Sequence, residues 1–207
     1  MCNRARFHGE PETIHERFGS SWAADIARPN ADPRELYPKA KAYVVREERD
    51  RRVVDLMAWD VLGGQAPWPM TNVRNLALPQ WRRLAAEPGN RCLVPLTSFC
   101  EWTPDTHQVG PGKPIKGEMW FHVADQSVFA IAGFWQVTAK GPSFAMVTCD
   151  PNTLVAPIHP KAMITILPEA GWDRWLRGSY EDAVALQQPY PAELMTVEGP
   201  VFPTRRG

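Results

Sequence analysis

Apolar residues along this chain fall into short runs separated by prolines, glycines and charges. Residues 42–45 and 53–59 read as two strands, with the charged stretch 46–52 between them as the hairpin tip. Residues 91–95 and 98–102 read as buried strand pieces meeting at a turn. Residues 120–123 and 129–135 are strands flanking the turn Asp125-Gln126-Ser127, and 144–148 and 164–167 supply two more. Helical periodicity is rarer. It marks 13–18, where Thr13 caps and Glu16 completes a capping box. It also marks a stretch opening at Pro79 and running through Leu84, and residues 168–176 and 181–187. Pro29, Pro33 and Pro38 break 30–38 into loop, 63–70 is a Gly/Pro loop carrying Trp68, and 155–160 is stiffened by prolines. From Gln188 onward the tail is too punctuated by proline to assign. Strands outnumber helices and do not alternate with them. The pattern predicts an α+β single domain over 1–207, with a mainly antiparallel, barrel-like β-sheet core and flanking short helices.

Composition narrows the function classes. At 207 residues the chain can bury a substantial core, and its 21 prolines and nine tryptophans call for short elements around an aromatic-rich interior. It has no 18-residue apolar run to cross a membrane and no apolar leader resembling a secretory signal. Cys2, Cys92, Cys100 and Cys149 form no C-x-x-C pair, which argues against a zinc site and for a reduced, cytoplasmic protein. Lysine plus arginine equals aspartate plus glutamate at 23 each, so any nucleic-acid partner must be held by a local patch. Arg46, Arg49, Arg51 and Arg52 are interleaved with Glu47, Glu48 and Asp50, as in a solvated turn rather than a phosphate site.

Candidate chemistry begins at Cys2, which follows Met1. Removal of Met1 would leave an amine titrating at about 7.7–8.0 and a thiol at about 8.5 on adjacent carbons of one residue. Such a 1,2-aminothiol condenses with an aldehyde to a Schiff base, and the thiol then closes a thiazolidine ring. It can instead act as an N-terminal nucleophile towards an acyl group, or Cys2 can be an accident of a frayed terminus. Glu101 sits in the apolar run Ser98-Phe99-Cys100-Glu101-Trp102, either on a solvent face or in a pocket with a raised pKa. His159, between Pro157 and Pro160, suits a general acid/base or a structural hydrogen bond. Asn72 and Arg74 face one way on an extended segment, an amide beside a guanidinium that fits a phosphate or carbonyl ligand.

Taken in order, these residues resemble the SOS response-associated peptidase (SRAP) family, whose members process abasic sites in single-stranded DNA. The resemblance covers nearly the whole chain. It rests on Met1-Cys2, Trp59, Asn72-Val73-Arg74, the run from Arg91-Cys92-Leu93-Val94-Pro95 to Phe99-Cys100-Glu101-Trp102, Ala132-Gly133-Phe134-Trp135, Pro157-Ile158-His159 and Ile166-Leu167-Pro168. It implies that Cys2, freed by self-removal of Met1, forms a thiazolidine crosslink with the ring-opened abasic sugar and shields the lesion. By the same resemblance Asn72, Glu101 and His159 are catalytic, and Arg4, Arg74, Pro38 and Trp68 bind DNA. Arg74 takes the phosphate beside the lesion, and Pro38 and Trp68 are apolar wedges against the flanking bases. No cofactor or metal is implied. The expected partner is single-stranded DNA containing abasic sites, bound by a monomer that is nucleoid-associated when on DNA. The chain departs from the family pattern at Asn3 (usually glycine), Asp60 (glycine) and Cys100 (tyrosine), after Met163, where a proline is missing, and in a compressed loop at 63–67. Two other readings stand beside the crosslinker: an N-terminal-nucleophile amidohydrolase or peptidase, and a non-catalytic single-strand-binding module.

Overall fold

The computed structural model describes residues 2–24, 26, 32–60 and 71–202. The N-terminal half runs β1 (Arg4–Arg6), α1 (Pro11–Phe18), β2 (Ser20–Trp22), β3 (Glu35–Leu36), β4 (Lys41–Glu48), β5 (Arg51–Trp59), β6 (Asn72–Arg74) and α2 (Pro79–Ala86). Then come β7 (Arg91–Leu96), β8 (Ser98–His107), β9 (Ile115–Val123), β10 (Phe129–Thr138) and β11 (Gly141–Cys149). The chain closes with β12 (Met163–Ile164), β13 (Ile166–Leu167), α3 (Trp172–Arg177), α4 (Tyr180–Leu186) and β14 (Met195–Val201).

Strand pairing forms a ring. β4 pairs with β5 and β7, β7 with β10, β10 with β11, and β11 returns to β5. Every seam of this barrel is antiparallel except the closing one, β5–β11, which is parallel. The expected α+β barrel is thus present, with short helices at its flanks. β6 lies parallel to β11, and a second sheet runs in the order β14-β9-β8-β1-β3, antiparallel throughout. Aromatic side chains fill the interior. Trp59 stacks on Phe144, and Phe134 lies against Trp175, all fully buried.

Several local expectations need correction. The hairpin tip is only Arg49-Asp50, both at positive φ as a two-residue turn between twisted strands requires. The flanking charges belong to the strands, where Glu47 faces Arg52 and Glu48 faces Arg51, so opposite charges stabilise the ladder. Helix α1 starts at Pro11, with Glu10 as an N-cap whose side chain makes no capping bond; Thr13 lies inside its first turn and caps nothing. The capping box belongs instead to α4, where Ser179 and Asp182 satisfy each other's backbone N–H groups. The expected strand 164–167 is two short ones, because β10 and β11 diverge there: β12 pairs with β11, and β13 with β10. The tail holds β14, paired with β9 despite Gly199 and Pro200.

One buried cation ties the helices to the barrel. Arg91 is 1% exposed and donates to the carbonyls of Ala85, Trp175, Gly178 and Ser179 at 2.7–3.1 Å. Ala85 and Trp175 lie in the last turns of α2 and α3, where carbonyls lack the next turn's N–H; the Ser179 carbonyl also accepts from the Ala183 N–H at 3.2 Å. Burial lowers its pKa.

Candidate active site

The start of the chain is led inward by pairing. β1 lies antiparallel to β8 with Arg4 opposite Cys100 and Ala5 opposite Phe99, so the residues before Arg4 run on towards Glu101. Cys2 is 1% exposed, and its thiol donates to the Arg4 carbonyl at 3.2 Å. Asn72 meets it from the barrel side, its Nδ2 donating to the Cys2 carbonyl at 3.1 Å and to Thr71 Oγ1 at 2.9 Å. The position of Asn72 is set by its neighbours. The carbonyl of Thr71 accepts from the Trp59 indole at 2.8 Å and from the Met146 N–H at 3.0 Å, while Asn72 falls opposite Met146 in register.

Glu101 points inward at 2% exposure. Burial pushes its carboxyl pKa up to about 7, against the opposing pull of the N-terminal ammonium. The Cys2 thiol is raised by burial first and by the Glu101 charge second, so it stays a neutral thiol near pH 7. His159 ends a turn in which its N–H and that of Ile158 both donate to the Val155 carbonyl; Asn152 Oδ1 caps the turn from the N–H groups of Leu154 and Val155. The imidazole Nδ1 lies 2.8 Å from the Ala162 carbonyl. Nδ1 also lies 3.2 Å from the Ala162 N–H, and the shorter contact, to the carbonyl, favours the tautomer with the proton on Nδ1 and the lone pair on Nε2. Burial lowers the His159 pKa, and the N-terminal ammonium lowers it further. The same terminal charge therefore acts on both Glu101 and His159, and the Glu101 charge acts on Cys2. Cys2, Asn72 and Glu101 meet through these contacts, and His159 feels the same terminal charge that acts on Glu101.

Two acceptors in this locality lack partners. Asn72 Oδ1 and Glu101 Oε1 are buried, and neither accepts a hydrogen bond from the described residues. Each such atom costs about 1–3 kcal/mol. Together they form a polar position beside the Cys2 thiol that the described residues leave unsatisfied.

The other predicted positions are placed differently. Arg74 is half exposed and paired with Asp150 at 3.1 Å, and it lines an open cleft of about 240 Å³ with Asn75, Thr148, Cys149 and Gln187. Although Asn72 and Arg74 are on one short strand, Asn72 is buried under Cys2 while Arg74 faces the open cleft. Pro38 lies half-buried in the turn between β3 and β4. Trp68, its whole 63–70 loop and part of 30–38 lie outside the described residues. Arg4 is enclosed by Glu35, Glu118, Tyr37 and Trp120, which sequence reading did not single out. For Glu118 a signal existed: an acid two residues before Trp120 in a strand shares its face. Among the described residues no three His, Cys, Asp or Glu side chains cluster as metal ligands, and no helix is long and apolar enough to cross a membrane.

The family model for SOS response associated peptidase (SRAP) matches residues 1–201. The abasic site processing protein YoqW of Bacillus subtilis strain 168 is 25% identical over 217 residues, covering 94% of this chain and 90% of YoqW; the counterpart of the same name from Bacillus phage SPbeta matches equally. In fold, the chain is similar to a crystal structure of a Bacteroides thetaiotaomicron protein, with a TM-score of 0.74 at 20% identity over 95% of this chain and 90% of that one. It is also similar to a phage-related protein from Bordetella bronchiseptica, with a TM-score of 0.71 at 19% identity over 99% and 95%.

Proposed function

Because the chain belongs to the SOS response-associated peptidase family, we propose that it processes abasic sites in single-stranded DNA by forming a thiazolidine crosslink through Cys2. The observation that carries this reading is the pair of unpartnered buried acceptors, Asn72 Oδ1 and Glu101 Oε1, beside Cys2. Once Met1 is removed, the Cys2 α-amine supplies donors to that position.

The reaction then divides among the four side chains. An abasic sugar is mostly a closed hemiacetal. His159, neutral because its pKa is lowered, takes the C1 hydroxyl proton through Nε2 and returns it to the ring oxygen as the C1–O bond breaks, so the aldehyde forms and His159 is neutral again. The Cys2 amine adds to the aldehyde carbon. Asn72 holds the Cys2 backbone by its carbonyl without adding a charge. Glu101, half protonated near pH 7, gives its proton to the carbinolamine hydroxyl, which leaves as water and forms the C=N bond. The carboxylate so made takes the thiol proton as Cys2 Sγ adds to the imine carbon and the ring closes. Glu101 ends as it began. The balance is aldehyde plus aminothiol giving thiazolidine plus one water. A thiol kept protonated by burial suits this order, with the amine attacking first and sulfur second.

Arg74 takes a phosphate by displacing Asp150, which fixes register without reading sequence. Pro38 and Trp68 serve as apolar wedges against flanking bases, a stacking contact being worth about 1–3 kcal/mol. The test is a denaturing gel of the protein after incubation with abasic single-stranded oligonucleotide. A heat-stable shifted band is expected from wild type and not from Cys2→Ala. A band of equal yield from Cys2→Ala would remove the thiol from the mechanism.

A further inference from the structure

Arg4 is nominated for DNA by family resemblance, but its surroundings give it different work. Its Nη1 donates to Glu118 Oε1, and its Nε and Nη2 lie 3.4 and 3.2 Å from Glu35 Oε2. The rings of Tyr37 and Trp120 lie 5.2 and 5.1 Å from its guanidinium carbon. All three guanidinium nitrogens are committed to carboxylates, and the side chain is only 15% exposed. Glu118 is itself held: it is 2% exposed, and its Oε2 accepts from the Trp120 indole at 3.0 Å. The cluster is charge-balanced, with Arg4 and Arg6 against Glu35 and Glu118. It offers little net positive charge to a phosphate.

Strand order explains the reach. β8 lies between β1 and β9, and Arg4, Cys100 and Trp120 form one row across the three strands. The Arg4 side chain spans the small Cys100 to reach an acid on the far strand. β1 has only three residues, pairs at three positions with β8 and at two with β3, and begins two residues after Cys2. So short a strand next to a chain end frays unless side chains tie it down.

We propose that Glu118 is a positioning residue that clamps Arg4, and through it β1, so that Cys2 is delivered against Asn72 and Glu101. The inference rests on the crosslinking reading above and gives Arg4 a structural role in place of a DNA contact.

The test uses full-length Glu118→Gln, Glu118→Asp and Arg4→Met, each checked by intact mass for loss of Met1 and by thermal melting for folding. Two quantities are read: the first-order rate of crosslinking at saturating abasic single-stranded DNA, and the Kd, with its salt dependence, for an oligonucleotide carrying a tetrahydrofuran in place of the abasic sugar. Glu118→Gln and Arg4→Met are expected to slow crosslinking by about tenfold or more, as misplacement of a reacting group does. Their Kd and its salt slope are expected to stay at the wild-type values, and Glu118→Asp to recover part of the rate. Wild-type crosslinking rates in the variants would overturn the inference. So would an Arg4→Met protein whose affinity falls and whose salt slope drops by about 0.7, the loss of one single-strand phosphate contact. Failure of the wild-type protein to crosslink at all would overturn the reading beneath, and the clamp with it.

Discussion

Replacing Glu101 with glutamine should stabilise the protein at alkaline pH while disabling it. The carboxyl is raised from 4.5 to about 7, chiefly by burial. An acid whose folded-state pKa is raised keeps its proton in the folded protein at pH values where the unfolded chain has lost it. Stability from this group is therefore fully present below pH 4.5, falls as pH rises through about 7, and stays low above that. The full penalty is about 3 kcal/mol. Glutamine has no charge to bury. Urea or thermal unfolding at pH 4.5, 7 and 9 should show wild type and Glu101→Gln nearly equal at the lowest pH and separating as pH rises. At pH 9 the variant should melt higher by on the order of 5–10 °C for a chain of this size. Its crosslinking should be slow at every pH, because the amide neither gives a proton to the carbinolamine nor takes one from the thiol. Two stability profiles that run parallel from pH 4.5 to 9 would refute the reasoning, since Glu101 would then not carry a raised pKa.

Two further outcomes follow from the geometry. Arg91→Met takes the side-chain donor away from the carbonyls of Ala85, Trp175 and Gly178 inside the protein, and should cost on the order of 3 kcal/mol or more in urea denaturation; a loss below about 1 kcal/mol would show that water replaces the guanidinium. Asp150→Asn removes the carboxylate that competes for Arg74, and should tighten binding of single-stranded DNA by about two- to fivefold, the scale of one exposed ion pair; unchanged or weaker binding would contradict Arg74 as a phosphate site.

Strands built on continuous apolar runs were legible because burial on both sides leaves a plain signal: Val44-Val45 and Val53-Val54 in one hairpin, and Phe129 to Trp135 in β10. Their ends were not. At 46–52 the residues alternate in charge because they pair across strands, and a cross-strand ion pair looks like solvated turn when only neighbours along the chain are visible. β14 was hidden by Gly199 and Pro200, and the split between β12 and β13 depends on where β10 and β11 part. At the site, Cys2, Asn72, Glu101 and His159 were singled out by residue type and by family resemblance; the fold brings the first three into contact or charge interaction, and His159 within the influence of the terminal charge. That Arg4 meets Glu118 was not legible, although Glu118 could be placed beside Trp120 on its own strand. Its partner Glu118 is 114 residues away, and only the order of strands in the second sheet makes them neighbours.

The central claim is that the Cys2 aminothiol bonds covalently to the sugar aldehyde. Intact mass spectrometry of the protein mixed with an abasic single-stranded oligonucleotide, without any reducing agent, tests it most directly. The account predicts a species at the mass of the protein lacking Met1 plus the oligonucleotide less one water, stable to denaturant, with the modification on Cys2 after digestion. Unmodified protein, or an adduct on any residue other than Cys2, would contradict it.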